Sequence, residues 1–335
     1  MKGKEMNIKR IIKRCLEELD ATIRIAKVTS IKEALITFLA KIDIQIMNRN
    51  GYKETLKIKK HLLEKHKIMI KYYEETFSKF LTDYRIEKKI EEDQDMSKNI
   101  WICWWQGKEN APEIVKKCIK SIEKNAGNHP VIILTEDNYK EYVEIPTWVE
   151  EKYKKGIITR TNYSDLLRLS LLAQHGGMWL DATFLCTDTI EEYFELPIWS
   201  IKRPDYGHAS VACGYFAGYS LACDREHRWI FKVIRDLFLN YWKNNDTMVD
   251  YLMVDYMIVL AQRKFENIKK EFEKILPNNP NCDELFKILN EEYNEVKWEE
   301  LKNDTRLFKL TWKQLFTKEK NGRKTFYGKL LEEKL

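Results

Sequence analysis

Between Met1 and Lys98 the chain has no proline and only two glycines, Gly3 and Gly51. A stretch this poor in helix breakers excludes a loop-rich or hairpin-rich opening and predicts long helices. Metal-ligand patterns are equally scarce. The seven cysteines (Cys15, Cys103, Cys118, Cys186, Cys213, Cys223 and Cys282) form no CxxC pair, and no two of the six histidines stand four residues apart. That excludes a structural zinc module and a zinc-peptidase motif. An odd, unpatterned set of thiols fits a reducing compartment, so a cytoplasmic location is expected. Long apolar runs are also missing. The longest are of the size of "ALITFLA" at 34–40, far short of the ~20 residues a membrane span needs. The basic residues after Met1 lead into no apolar block, and no signal peptide is expected.

The 335 residues are 44% hydrophobic, 12% aromatic and 33% charged, enough for a substantial core under a soluble surface. Residues 1–71 hold 18 Lys+Arg against 8 Asp+Glu, so they carry +10 of a chain whose net charge is +6. Glutamates interleave with those lysines, and no dense basic block of the kind that tracks a phosphate backbone is present. No nucleic-acid partner is expected. A solvated helical face, or peripheral contact with an anionic membrane, accounts for the charge.

Two regions follow from the pattern: a helical segment, 1–95, and an α/β domain, 96–335. Ile8, Ile11, Ile12, Cys15, Leu16, Leu19 and Ile23 mark one apolar stripe of an α-helix, and Gly51 marks a turn between helical arms. The charged span 87–99 is the boundary. Beyond it, strands are predicted at 99–105, 129–138 and 177–185, the second buried on both faces, with helices at 110–127 and 162–177. This alternation implies a parallel sheet with right-handed crossovers. Further helices are expected at about 225–243, 247–275 and 282–293, then a tail at 296–335.

Three features carry chemistry. The helix "NYSDLLRLSLLAQHGG" is apolar on most sides, yet it holds Asp165 and Arg168 one turn apart. Charges there are costly unless paired or used. They form either a structural ion pair or part of a polar pocket at the sheet edge, where open α/β sheets bind ligands. Asp181, in "GMWLDATFL", places an acid in what reads as a buried strand, where it needs a cation, a metal or a ligand hydroxyl. The run "IWICWWQG" puts Trp104, Trp105 and Gln106 at a strand's carboxyl end. Some of its tryptophans must be core, and one there is suited to stacking on a nucleobase.

In this order the three segments resemble the capsular polysaccharide synthesis family, which is similar to the DXD-containing glycosyltransferases of family 32 and to the glucosyltransferase domains of clostridial toxins. The resemblance covers roughly 100–265, including "YWKNNDTMVDYLMVDYMIVL" at 241–260. It implies a GT-A-like fold, a mostly parallel Rossmann-like sheet flanked by helices, and a nucleotide-sugar donor, a UDP-sugar. It also implies Mn2+ or Mg2+ as cofactor. By position, Trp104 or Trp105 with Gln106 would hold base and ribose. Asp165 and Arg168 would meet the donor sugar and phosphate. Gly177 would also contact the donor, and Asp181, Ala182 and Thr183 would form the DXD-like element.

That element departs from the wider pattern: Asp181-Ala182-Thr183 lacks the second carboxylate, although the capsular branch commonly carries this form. Direct metal binding by two acids is therefore in question. Thr183 through a water, or a distant acid, Asp250 or Asp255, are the substitutes, and one or two carboxylates suffice where phosphates supply the other ligands. The relatives retain anomeric configuration, so a front-face transfer to a saccharide or lipid-linked saccharide is expected. A protein-modifying transferase and a degenerate, non-catalytic nucleotide or saccharide binder are the alternatives. Trp312 and Lys324 in the tail are lid contacts in this reading, with core packing the competing role for Trp312.

Overall fold

The computed structural model describes residues 2–88 and 95–335, with side chains from Cys15 onward. The side chains of Ile8, Ile11 and Ile12, and residues 89–94 of the boundary span, lie outside the described residues. The first region is helical: α1 (Lys2–Val28), α2 (Ile31–Arg49), α3 (Leu56–Thr76) and α4 (Ser78–Asp83). Ser30 and Thr55 cap α2 and α3, their hydroxyls accepting from the amides of Glu33 and Ile58, which satisfies amides that have no partner within the helix. Gly51, at φ +69°, turns the chain between α2 and α3.

The α/β region runs β1 (Ile100–Cys103), α5 (Glu113–Asn125), β2 (Val131–Leu134), α6 (Thr147–Lys154), α7 (Arg160–Gln174), β3 (Gly177–Leu180), β4 (Phe184–Cys186), β5 (Ile198–Ser200) and β6 (Ser220–Cys223). It continues with α8 (Arg228–Asn244), α9 (Met253–Lys264), α10 (Glu266–Lys274), α11 (Leu285–Ile288), α12 (Glu295–Lys302) and β7 (Leu307–Lys309). The central sheet has the order β2-β1-β3-β6-β5. Its β1 pairs in parallel with β2 and β3, while β6 runs antiparallel to both β3 and β5. This mixed, mostly parallel sheet flanked by helices is the α/β arrangement expected from the sequence and is compatible with a GT-A-like fold.

Strand alternation divides the core in two. Trp101, Trp179 and Leu221 face one apolar cluster, shared with α7, α8 and α9. Ile100, Ile102, Met178 and Leu180 face the other, shared with α5 and β4. The first cluster takes in Ala21, Ile25, Ala34, Ile68 and Tyr73 of the N-terminal helices. On their outer side these helices leave Leu16, Leu19, Leu35, Leu39, Ile42 and Ile46 exposed, while the small residues Ala34 and Ala40 turn inward.

Several boundaries differ from the sequence reading. β2 lies at a sheet edge with three of its four residues half-buried, so it is not covered on both faces. The span 247–275 is two helices separated at Phe265, and Asp250 precedes them in a loop, where its carboxylate accepts from the Leu252 amide at 3.0 Å. The helix expected over 282–293 shrinks to α11. The largest change concerns 177–185. That run leaves the central sheet at Asp181, turns through Ala182 and Thr183 with the Phe184 amide donating to the Asp181 carbonyl, and joins β7 in a second sheet. Asp181 is thus at the carboxyl end of β3, not inside a strand. An apolar run of nine residues cannot by itself reveal such a turn.

Candidate active site

α7 is the origin of the site. Its cap is Thr159, whose hydroxyl accepts from the Asn162 amide at 3.3 Å. Leu166, Leu167, Leu169, Leu171 and Leu172 are all buried around it. The paired glycines end it by conformation: Gly176 and Gly177 have φ +76° and +88°. A Cβ at Gly177 would lie 2.5 Å from the Asn99 carbonyl oxygen. Gly177 therefore serves the start of β3, at the opposite end of that strand from Asp181.

Arg168 projects from α7 across the end of β3, with its guanidinium 5.0 Å from the Trp179 ring centre. It lies 3.4 Å from Asp165 and 3.5 Å from Asp181, and donates to the Gly218 carbonyl. Its Nε–H has no partner among the described residues. Both readings of the Asp165–Arg168 pair hold together: it is an ion pair, and it lines a cavity. Asp181 accepts from the Trp179 indole at 3.0 Å and from the Lys309 ammonium, also at 3.0 Å. Lys309 donates in addition to the Thr183 hydroxyl. Asp255, on α9, accepts from Ser210 at 2.6 Å. A Cβ at Gly218 would lie 2.6 Å from Asp255 Oδ1, so that close approach requires glycine.

Asp165, Arg168, Asp181, Asp255 and Lys309 line one cavity of about 770 Å³, whose far wall includes Tyr52 and Glu54 of the α2–α3 turn and Tyr206, Tyr251 and Phe286. The cavity opens beside the carboxyl end of β3, where open α/β sheets hold ligands. Burial pushes the Asp165 carboxyl up to about 6, with Arg168 opposing and Asp255 and Asp181 adding to the rise. Burial likewise pushes Asp255 up to about 6, against the Ser210 hydrogen bond and Arg168. At Asp181 burial acts upward too, but Lys309 and Arg168 outweigh it and hold the group below the usual carboxylate range.

The upward shifts carry a pH signature. Between about pH 4 and 6 an unfolded aspartate has released its proton while folded Asp165 and Asp255 keep theirs. The folded state then binds more protons, and stability falls as pH rises through that window. Asp255→Asn is expected to lack its share of this loss, gaining about 1–3 kcal/mol over the wild type at pH 7.5 relative to pH 4. Urea unfolding at both pH values checks it; an equal difference at the two would refute the assignment.

The other residues singled out in the sequence lie elsewhere. Trp105 is buried, stacked on Tyr139 at 5.3 Å and packed edge-on against Tyr163. Trp104 is half-buried and meets Trp312 edge-on at 5.7 Å, and Gln106 is exposed. Ala182 packs into the second core. Lys324 pairs with Glu319 and Glu332. Asp250 is buried against Lys65 at 2.7 Å. None of these seven lines the cavity, although Thr311, next to Trp312, does. The residues missed in the sequence are Lys309, Ser210 and Gly218. Lys309 has no local signature: it arrives through the pairing of β7 with β4, opposite Phe184.

A family model described as capsular polysaccharide synthesis protein matches residues 49–330. The chain belongs to that family. The match covers all the cavity residues named above, including Tyr52 and Glu54. The chain is also similar to the O-glycosyltransferase PaGT of Phomopsis amygdali, 25% identical over 168 residues. That similarity covers 44% of this chain and 39% of the relative, so the chain matches well under half of that protein's length. No solved structure matches the chain. Among the described residues no helix is long and apolar enough to cross a membrane.

Proposed function

We propose that the protein is a glycosyltransferase that moves a hexose-type sugar from a nucleotide-sugar donor, a UDP-sugar, to a saccharide acceptor in the assembly of a cell-surface polysaccharide. The observation that carries this reading is the buried Asp165–Arg168–Asp181 cluster at the carboxyl end of β3, opening on a cavity of about 770 Å³. Arg168, held by the Gly218 carbonyl, offers a fixed fork to a phosphate or sugar oxygen. Asp165 and Asp181 accept from sugar or ribose hydroxyls. Transfer proceeds on one face: the anomeric carbon–phosphate oxygen bond breaks with its electron pair leaving on the diphosphate. The acceptor oxygen bonds to the same carbon, and its proton passes to the departing phosphate oxygen.

The acceptor in this proposal is lipid-linked. Support comes from the uncovered aliphatic face of α1 and α2, on a segment with 18 basic against 8 acidic side chains, which suits an anionic membrane surface.

Calorimetry with UDP and a panel of UDP-hexoses tests the donor reading. One UDP-hexose is expected to bind more tightly than UDP, and Asp165→Asn to lose that difference while still binding UDP. Failure of UDP to bind both with and without manganese would sink the proposal. Transfer assays with lipid-linked saccharide, free saccharide and protein acceptors then distinguish the acceptor classes.

A further inference from the structure

The resemblance to DXD-type glycosyltransferases implies a divalent cation at Asp181 and Thr183, and the residues present here do not fit one. Both Asp181 oxygens are engaged, one by the Trp179 indole and the other by the Lys309 ammonium. The same ammonium takes the Thr183 hydroxyl. Arg168 adds a second fixed positive charge 3.5 Å from Asp181. A dication on Asp181 would stand against both.

Lys309 is built into this place. It is the last residue of β7, and its register opposite Phe184 sets it beside the Asp181–Thr183 turn. Its ammonium lies 5.5 Å from the ring centres of both Phe184 and Tyr219, and it lines the cavity.

Resting on the donor reading above, we propose that Lys309, with Arg168, supplies the positive charge that meets the donor's diphosphate, so that donor binding and transfer need no divalent cation. An ammonium on a four-carbon stem is a mobile point charge with three donors. It can turn from Thr183 to a phosphate oxygen while Asp181 keeps its indole hydrogen bond. As the bond from the anomeric carbon to the phosphate oxygen breaks, charge collects on the leaving diphosphate, and a positive group already in place stabilises it without reorganisation. Arg168, which lines the same cavity, is the second positive group beside the same oxygens.

The test is calorimetric titration of UDP into the full chain in EDTA and again in manganese, followed by release of UDP from the preferred UDP-hexose in both buffers. Equal affinity and turnover in the two buffers are expected. Lys309→Met should weaken UDP binding by about 10–100-fold in EDTA. Lys309→Arg should stay within about 5-fold of the wild type. UDP binding that requires manganese in the wild type overturns this inference and leaves the glycosyltransferase reading standing. UDP binding in neither buffer overturns both. The wild-type comparison decides the matter even where Lys309→Met does not fold, and a folded Lys309→Met that binds UDP as the wild type does would also overturn it.

Discussion

Arg168→Ala is expected to lower kcat/KM for glycosyl transfer by about 10²–10³-fold. Arg168 is buried, and its guanidinium is within 3.5 Å of Asp165 and Asp181 and is bonded to the Gly218 carbonyl. Truncation therefore has two consequences that must be separated. In the proposed reaction it removes the fixed fork of N–H donors from the sugar donor's phosphate or hydroxyls. It also leaves Asp165, Asp181 and Asp255 with Lys309 as the nearest remaining cation of the cluster, which raises the cost of their ionised forms. The second effect lowers stability and is relieved by acid; the first is not. Kinetics at pH 6 and pH 8, with urea unfolding at the same values, distinguish them. Arg168→Lys keeps the charge but loses the planar fork, so it should recover stability better than activity. A folded Arg168→Ala with wild-type kcat/KM would remove Arg168 from the mechanism.

Asp250→Asn is expected to cost about 3–5 kcal/mol of folding stability while leaving donor binding by the folded protein intact. Lys65 and Asp250 are 2% and 4% exposed and 2.7 Å apart, and Lys41 adds to the field that holds Asp250 below the usual carboxylate range against burial. The pair joins α3 to the loop before α9. Breaking it strands a lysine charge in a dry interior, whereas removing both partners does not. The double variant Lys65→Met/Asp250→Asn should therefore be more stable than Asp250→Asn alone, a coupling that a double-mutant cycle measures by urea unfolding. Selective loss of UDP binding at unchanged stability would instead restore Asp250 as a site residue. Asp255, five residues later, is the acid of the pair that reaches the cavity.

The contrast between Asp250 and Asp255 shows what a linear pattern can and cannot convey. Both lie in "VDYLMVDY", and both read as acids in apolar surroundings. Their separate fates depend on which neighbour each meets, Lys65 from α3 or Ser210 from the loop before β6. Those partners are far away in the chain and have no motif of their own. The tryptophans teach the same lesson. Strand alternation required part of "IWICWW" to be core, and Trp101 and Trp105, four residues apart, are both buried in the first cluster, while Trp104 is half-buried against the second. What alternation could not show is which partners they meet: Trp105 packs between Tyr139 and Tyr163.

Much was legible in the sequence itself. The dearth of proline and glycine before residue 98 dictated helices. The alternation of β-branched runs with 3.6-period segments dictated an α/β sheet. The Leu-rich helix with Asp165 and Arg168, the paired glycines and Asp181 were recognisable as one unit, because their spacing obeys local geometry: one helical turn, one tight helix stop, one strand. Only the tertiary structure decided that β6 runs antiparallel, that the 177–185 run breaks at Asp181, and that Lys309 closes on Asp181 from 128 residues away. Periodicity reports which face of an element is buried. Strand direction, turns within apolar runs and the charge that answers a buried acid are set by what packs opposite, and that information is distributed over the whole chain.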